Sequence, residues 1–432
     1  MDTQGSISNE NKTDQLEDFA LLIEMAELPQ DSSVKDHCIY RVPQKVRHIK
    51  EAAYTPRVVS IGPFHHGEER LILMEKLKLG YLKSFLQGTG LTLDKCMSKL
   101  KEWEPMIRNC YAESIQLDSD PFLKMILIDA AFIIELFLRY YDVGNWIQSD
   151  PLFLKPWLAE DVAHDLILLE NQLPFCVLNG LFKLATADII TGDFPSFLNL
   201  TFTYFADLNS QKIQPDSVSV KHFTDLLRVF YLPPVERLPK RSDVNNILDH
   251  LYSANELVEA GVKFKVDKTK KCFLELQYNN GVLTMPRLDV SDRTEFHLRN
   301  IVAFEQAQFP HETYITDYLK VLDFLIDDER DVNVLIHRGI ITTLLGDSNE
   351  VATMINCLCS NLIQPNMNLE YLTICRQLKE FYEKPVNKWK AGMIHDYFDT
   401  PVKIATSIAA MVLLILTAIQ TVCTVIPLVN SN

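Results

Sequence analysis

The 432-residue chain lacks the short local motifs that mark the commoner enzyme classes. It has no G-x-S-x-G, no H-E-x-x-H and no P-loop, and its nearest approach to a dinucleotide-binding loop, GTGLTL from Gly88, puts Leu93 where the third glycine belongs. Catalytic groups also converge from distant positions, so these absences remove only the enzymes that a motif betrays. The nine cysteines are odd in number and include no C-x-x-C pair, which leaves neither a disulfide framework nor a zinc site to be read. They are expected as reduced, mostly buried thiols. A formal charge of -15 argues against a nucleic-acid partner, whose phosphates need clustered Lys and Arg. The opening MDTQGSISNENKTDQLEDF lacks the basic and apolar regions of a signal peptide, and residues 1–35 read as an acidic disordered tail.

What the chain has instead is one long apolar run. IATSIAAMVLLILTAIQTVCTVI, residues 404–426, carries no charge over 23 residues. As a helix it would measure about 34 Å, against a hydrocarbon core of roughly 30 Å, so a transmembrane helix is expected. Lys384, Lys388, Lys390 and Lys403 precede it, with Trp389, Tyr397 and Phe398 as candidate interface anchors. The positive-inside bias then places residues 1–403 in the cytosol, as a single-pass, tail-anchored protein of the plasma membrane or an endomembrane. Charge elsewhere is uneven: residues 1–36 hold nine acids against two lysines, net -7, and residues 37–83 hold nine Lys and Arg against four Glu, net +5. The basic block reads as a solvated helical face.

Apolar residues recur at three- and four-residue spacings over 71–87, 95–116, 122–141, 161–172 and 174–185, and again near 315–326, 329–338, 349–363 and 368–383. Residues 36–400 are therefore expected to form one mostly helical domain. Between Val262 and Leu288 the rhythm changes to alternation by two on either side of Asn279-Asn280-Gly281, a hairpin signal, which predicts a three-stranded antiparallel meander. After it, Asp292 and Glu295 have the spacing of a capping box. The fold class is mainly α, with a small antiparallel β-meander near 262–288 and one C-terminal transmembrane helix.

Polar groups stand in several places where apolar ones are expected. Asp129 and Glu135 lie in ILIDAAFIIELFL, a helix apolar on all sides yet too short at 13 residues to span a membrane. HDLILLENQLPF sets His164, Asp165, Glu170, Asn171 and Gln172 among Leu, Ile and Phe, and Pro174, which cannot donate to the carbonyl of Glu170, should kink or end the helix there. Burying such groups unpaired costs several kcal/mol. One reading has neighbours satisfy them: Arg139 pairs with Glu135 at i+4, and Glu170, Asn171 and Gln172 bond to the orphaned backbone. The other has Asp129, Glu135, Asp165 and Glu170 line a helical cavity and supply acid/base or cation-stabilising groups for an apolar, isoprenoid-like substrate. His164, Asn171, Gln172, Arg299 and Glu305 are the candidate ligand-binding residues. Asp327, Asp328 and Asp331 spell D-D-x-x-D, a Mg²⁺ site under the second reading only; without it they are acids at a helix start, where the exposed N–H groups favour them. No cofactor is expected otherwise. The doublet His65-His66 reads as a turn.

CIYRVP, AYTPRVVSIGPFHHG, LILLENQLPFCVL, ELVEAGVKFK, FHLRNIVAFEQ and DYFDTPVKIATSIAAMVLLILTAIQTV, in that order over about residues 36–426, together resemble the plant family called domain of unknown function 247. The resemblance implies a plant protein with a C-terminal membrane helix and an undefined biochemical activity. Some grass members are implicated in self-incompatibility, which implies recognition or signalling through a protein or small-ligand partner. The family supplies no catalytic residues to carry over. The sequence departs from the family pattern at the acidic IDDERDVNVLIHRGII. The expected function is a membrane-anchored recognition module, with an enzyme of specialised metabolism as the alternative.

Overall fold

The computed structural model describes residues 37–187, 194–243, 245–397 and 401–430. The acidic tail expected over residues 1–35 and the anchor residue Phe398 lie outside the described residues.

The N-terminal half is built on α1 (Ile72–Thr89), α2 (Leu93–Asn109) and the long α3 (Ser119–Tyr141), followed by α4 (Pro156–Asp165), α5 (Phe175–Thr186), α6 (Phe197–Tyr204) and α7 (Phe223–Tyr231). α3 runs through the middle, with α1, α2, α5 and α6 packed around it, which accounts for its apolar residues on every side. At its C-terminal end Phe137 stacks on Tyr204 with ring centroids 4.4 Å apart and meets Phe205 and Phe223, so an aromatic cluster ties α3, α6 and α7 together.

The C-terminal half begins with α8 (Ala254–Ala260) and the strands β1 (Lys263–Asp267), β2 (Gln277–Asn279), β3 (Val282–Pro286) and β4 (Leu288–Val290). α9 (Asp292–Gln308), α10 (Tyr314–Leu325), α11 (Glu329–His337), β5 (Ile341–Thr343), α12 (Ser348–Leu358), α13 (Leu369–Glu383), α14 (Pro385–Tyr397) and α15 (Pro401–Asn430) follow. α9 is the second central helix, buried without a break from Glu295 to Glu305 and packed by α7, α10 and α12. One continuous buried cluster reaches from Cys38 to Leu378 and joins the two halves. The architecture is mainly helical with small sheets, as the periodicity predicts.

The sheet corrects one expectation. β2 and β3 form the antiparallel hairpin, joined by Asn280 and Gly281 at φ +49° and +79°, the two positive values that a type I′ turn requires. β1, however, pairs parallel with β3, with Lys263 opposite Val282, so the order is β1-β3-β2 and the sheet is mixed rather than a meander. Alternation by two specifies which face of a strand is buried and carries no information about the direction of its partner. A second, two-stranded sheet pairs β4 with β5 in parallel. The start of α9 also differs from the predicted capping box: Ser291 is the N-cap, its hydroxyl accepting from the Thr294 N–H.

Within α15, Val402–Cys423 has a mean hydropathy of 2.3 and none of it is buried against the domain, a helix long and apolar enough to cross a membrane. Trp389 and Tyr397 on α14 are exposed ahead of it.

The hairpin yields a first prediction. A Cβ on Gly281 would lie 3.1 Å from Phe381 Cε2 in a left-handed backbone conformation, so Gly281→Ala is expected to lower stability by about 1–2 kcal/mol. A urea midpoint equal to that of the parent chain would contradict the turn geometry.

Candidate functional site

α4 stops at Asp165, and residues 166–174 then pass through the interior as neither helix nor strand, every one of them buried. The predicted helix over 161–172 is thus corrected: the chain leaves the helix well before Pro174, which instead precedes α5. A buried loop cannot bond its backbone to water, so other groups must take its N–H and C=O. The side chains of HDLILLENQLPF and of α9 do so. Gln172 Nε2 donates to the carbonyls of Leu166 (2.6 Å) and Leu168 (2.7 Å), while its Oε1 accepts the Phe223 N–H. Asn171 donates to the carbonyls of Asp165 and Val59 and accepts the Ile61 N–H at 2.7 Å. Asn300 of α9 accepts the Leu169 N–H at 2.9 Å and donates to the carbonyls of Ala53 and Phe296. The Thr224 hydroxyl takes the carbonyl of Ile167.

The other partners come from residues 38–62, a strap lying over the loop that is extended or turning apart from one helical turn at Gln44–Arg47 and a 3₁₀ turn at Glu51–Ala53. Asp165 accepts three consecutive backbone N–H bonds, from Arg57, Val58 and Val59, at 2.7–2.9 Å. Glu170 accepts from the Val42 N–H at 2.7 Å and from Arg47 at 2.6 Å. Asp129 of α3 accepts the Gly62 N–H at 2.8 Å and pairs at 2.5 Å with Lys78 of α1, whose ammonium also donates to the Ser60 carbonyl. Burial works against the charge on Lys78, but Asp129 and Glu75 outweigh it and hold the ammonium above the usual lysine range. Gly62 is at φ +73°, and a Cβ there would come within 2.5 Å of the Gln172 carbonyl oxygen, so the strap approaches the loop as closely as only glycine permits.

The remaining candidates are dispersed. Glu135 pairs with Arg139 at 2.9 Å, and Arg139 reaches on to Asp150. Glu305 accepts from Arg228 and from the backbone of Ile315 and Thr316. Arg299 bonds Glu295, which also takes Lys50. Asp328 caps α11, and Asp331 returns bonds to the N–H groups of Asp327 and Asp328. Among the described residues no group of three His, Cys, Asp or Glu is arranged to hold a metal ion. His65 turns inward to Glu68 at 2.6 Å while His66 is exposed. Asp129, Glu135, Asp165 and Glu170 each serve a different neighbour and do not converge on one space.

A cleft does open beside the network, where α4, α6 and α9 meet. It measures about 410 Å³, and of the candidate residues His164 alone lines it. Its walls include Phe153, Ile167, Tyr204, Phe205 and Phe296, and its charged or polar lining includes Arg57, Glu160, Asp207, Asp292, Arg293 and His297. A neighbouring cleft of about 770 Å³ shares Asp207, Leu208, Arg293 and His297. His297 bonds the Tyr231 hydroxyl at 3.1 Å, and burial pushes its imidazole down to about 3, so the ring is neutral. Sequence reasoning missed the aromatic walls because Tyr204 and Phe205 follow the same helical spacing as core residues. His297 stands two residues before Arg299 in the polar cluster of α9, and that proximity was the available signal.

The family model described as DUF247, plant protein of unknown function, matches residues 39–416. The chain belongs to the DUF247 family. Among curated proteins it is similar to the UPF0481 protein At3g47200 of Arabidopsis thaliana, 28% identical over 91% of this chain and 87% of that protein. It is also similar to a second Arabidopsis UPF0481 protein, At3g02645, at 22% identity over 88% of this chain and 89% of that one. No solved structure matches. The segments that carry this DUF247 resemblance have a common place in the fold: CIYRVP and AYTPRVVSIGPFHHG form the strap, LILLENQLPFCVL the buried loop, and FHLRNIVAFEQ the part of α9 that meets both.

Two outcomes follow from this network. Lys78→Ala strands Asp129 without its counter-charge and is expected to cost about 3–5 kcal/mol; an unchanged urea midpoint would show that the pair does not hold the strap. His297, at about 3 when folded against 6.5 when free, contributes stability that is present above pH 6.5 and is lost as the pH falls toward 3, because only the unfolded chain takes the proton. The loss is about 1.4 kcal/mol per pH unit for this group. Unfolding free energies at pH 6 and pH 4.5 should therefore differ less in His297→Phe than in the parent, and equal slopes would exclude the buried neutral imidazole.

Proposed function

We propose that this DUF247 protein is a membrane-tethered recognition module, with its head in the cytosol, that takes its ligand in the cleft beside His164 and does not use its interior acids for catalysis. One observation carries the reading: in Asp129, Asp165, Glu170 and Glu305 both carboxylate oxygens already accept from a fixed donor, either a backbone N–H or a Lys, Arg or Thr side chain. A general base needs a lone pair directed at the substrate, and a cation-stabilising wall needs its acids on one cavity. The alternative, an enzyme for an apolar or isoprenoid-like substrate, draws no support from acids so dispersed, nor from Asp328 and Asp331, whose carboxylates are engaged at the start of α11.

Tethering is supported by α15. Val402–Cys423, a mostly apolar span of 22 residues that buries nothing against the domain, forms a surface far larger than a soluble monomer tolerates, and lipid is the solvent that removes it from water. Lys384, Lys388 and Lys390 precede the span and Lys403 lies in its first turn, which favours a cytosolic head.

Sealed microsomes carrying the full chain test this directly. The chain is expected to remain in the pellet after alkaline carbonate, to release its head to protease added outside the vesicles, and to become soluble when residues 402–423 are removed. A head protected until detergent is added would overturn the cytosolic placement, and extraction by carbonate would overturn the anchor.

A further inference from the structure

The cleft also specifies what it takes, on the reading that it is the ligand site. His164 is 9% exposed, and its Nδ1 lies 3.2 Å from Asp165 Oδ1. Both oxygens of Asp165 already accept backbone N–H bonds, so this contact is a donation from the imidazole. In the neutral ring Nε2 is then an acceptor. That atom is buried and finds no hydrogen-bond partner among the described residues, although the ring lines the cleft. A buried acceptor without a donor is uncommon in a folded protein and marks a place for one.

The surroundings narrow the donor's carrier. Phe296 meets the His164 ring edge-on at 4.9 Å, and Phe153, Tyr204 and Phe205 supply further aromatic surface. The guanidinium groups at the rim are engaged: Arg57 donates to Asp161 at 2.9 Å and lies over Phe296, and Arg293 donates to Glu160 at 2.9 Å. Glu160, Asp207 and Asp292 line the cleft against the two guanidinium groups, so a carboxylate or phosphate would meet more acids than cations there, whereas an uncharged ring meets no such repulsion. The volume, about 410 Å³, falls within the range of small-molecule sites. From this geometry we infer that the cleft binds a neutral, flat aromatic molecule carrying one hydroxyl or N–H group, which donates to His164 Nε2.

Two probes of equal ring size separate the parts of this inference: 2-naphthol, which has the donor, and 2-methoxynaphthalene, which does not. Each is measured by equilibrium dialysis against the full chain in lipid nanodiscs, with empty nanodiscs subtracted. The expected result is that both bind, 2-naphthol about tenfold more tightly, and that His164→Phe removes the difference while keeping the affinity for 2-methoxynaphthalene. Ala163→Trp, which fills the cleft from α4, is expected to abolish binding of both. If the parent chain binds both probes equally and Ala163→Trp still abolishes binding, the donor inference is overturned and the cleft stands. If neither probe binds, or if Ala163→Trp changes nothing, the cleft itself is overturned as the ligand site. The comparison of the two probes on the parent chain holds whether or not either variant folds.

Discussion

Nine consecutive residues with no regular structure lie in the middle of this domain, and every amide they carry must be bonded without water. That requirement organises the surrounding fold. A helix or a strand answers its own backbone, but residues 166–174 do neither, so the bonds come from side chains: Gln172 and Asn171 from within the loop, Asn300 from α9, and Thr224 from α7. Asn171 and Asn300 also bond the strap, at Val59, Ile61 and Ala53, and further N–H groups of its backbone are taken up by Asp165, Glu170 and Asp129. Two segments that could not be buried separately are buried against each other. A network of this kind stabilises only when complete, because each missing partner leaves a desolvated group behind.

Much of this was legible in the sequence, though for different reasons in different places. The helices around α3 were readable because a helix that packs on one side repeats its apolar residues at a fixed spacing, and α3 itself because it has no polar side. The pairing of Arg139 with Glu135 was readable from four-residue spacing alone. Asn280-Gly281 marked its turn because few other residues accept two successive positive φ values. The end of α4 was not readable. Leu166 to Leu169 are apolar whether they form a helix or a buried loop, and what stops the helix is a set of bonds to residues more than a hundred positions away. The parallel pairing of β1 escaped for a related reason, since it depends on a partner that local alternation does not identify.

The candidate residues divide along the same line. Asp129, Asp165, Glu170, Asn171, Gln172 and Glu305 attracted attention because polar groups in apolar runs demand an explanation, and the structure gives each a structural partner. The cleft was invisible by contrast because its walls are ordinary aromatic residues whose exposure is decided by how α4, α6 and α9 meet. His164 belongs to both sets: it was a candidate because its imidazole stands in an apolar run, while the aromatic walls around it gave no such signal.

That double membership links the strap to the cleft. Asp165 fixes the strap through three N–H bonds and, with the same carboxylate, sets the orientation and tautomer of His164. Arg57 contributes its N–H to that carboxylate while its guanidinium covers Phe296 in the cleft wall. Any shift of the strap at residues 57–59 therefore changes the donors on Asp165, and with them the hold on the imidazole. An acceptor positioned in this way is rigid before a ligand arrives, which spares binding the ordering of a loose side chain. The bonds that let an irregular loop be buried are thus also those that hold His164 ready at the edge of the cleft.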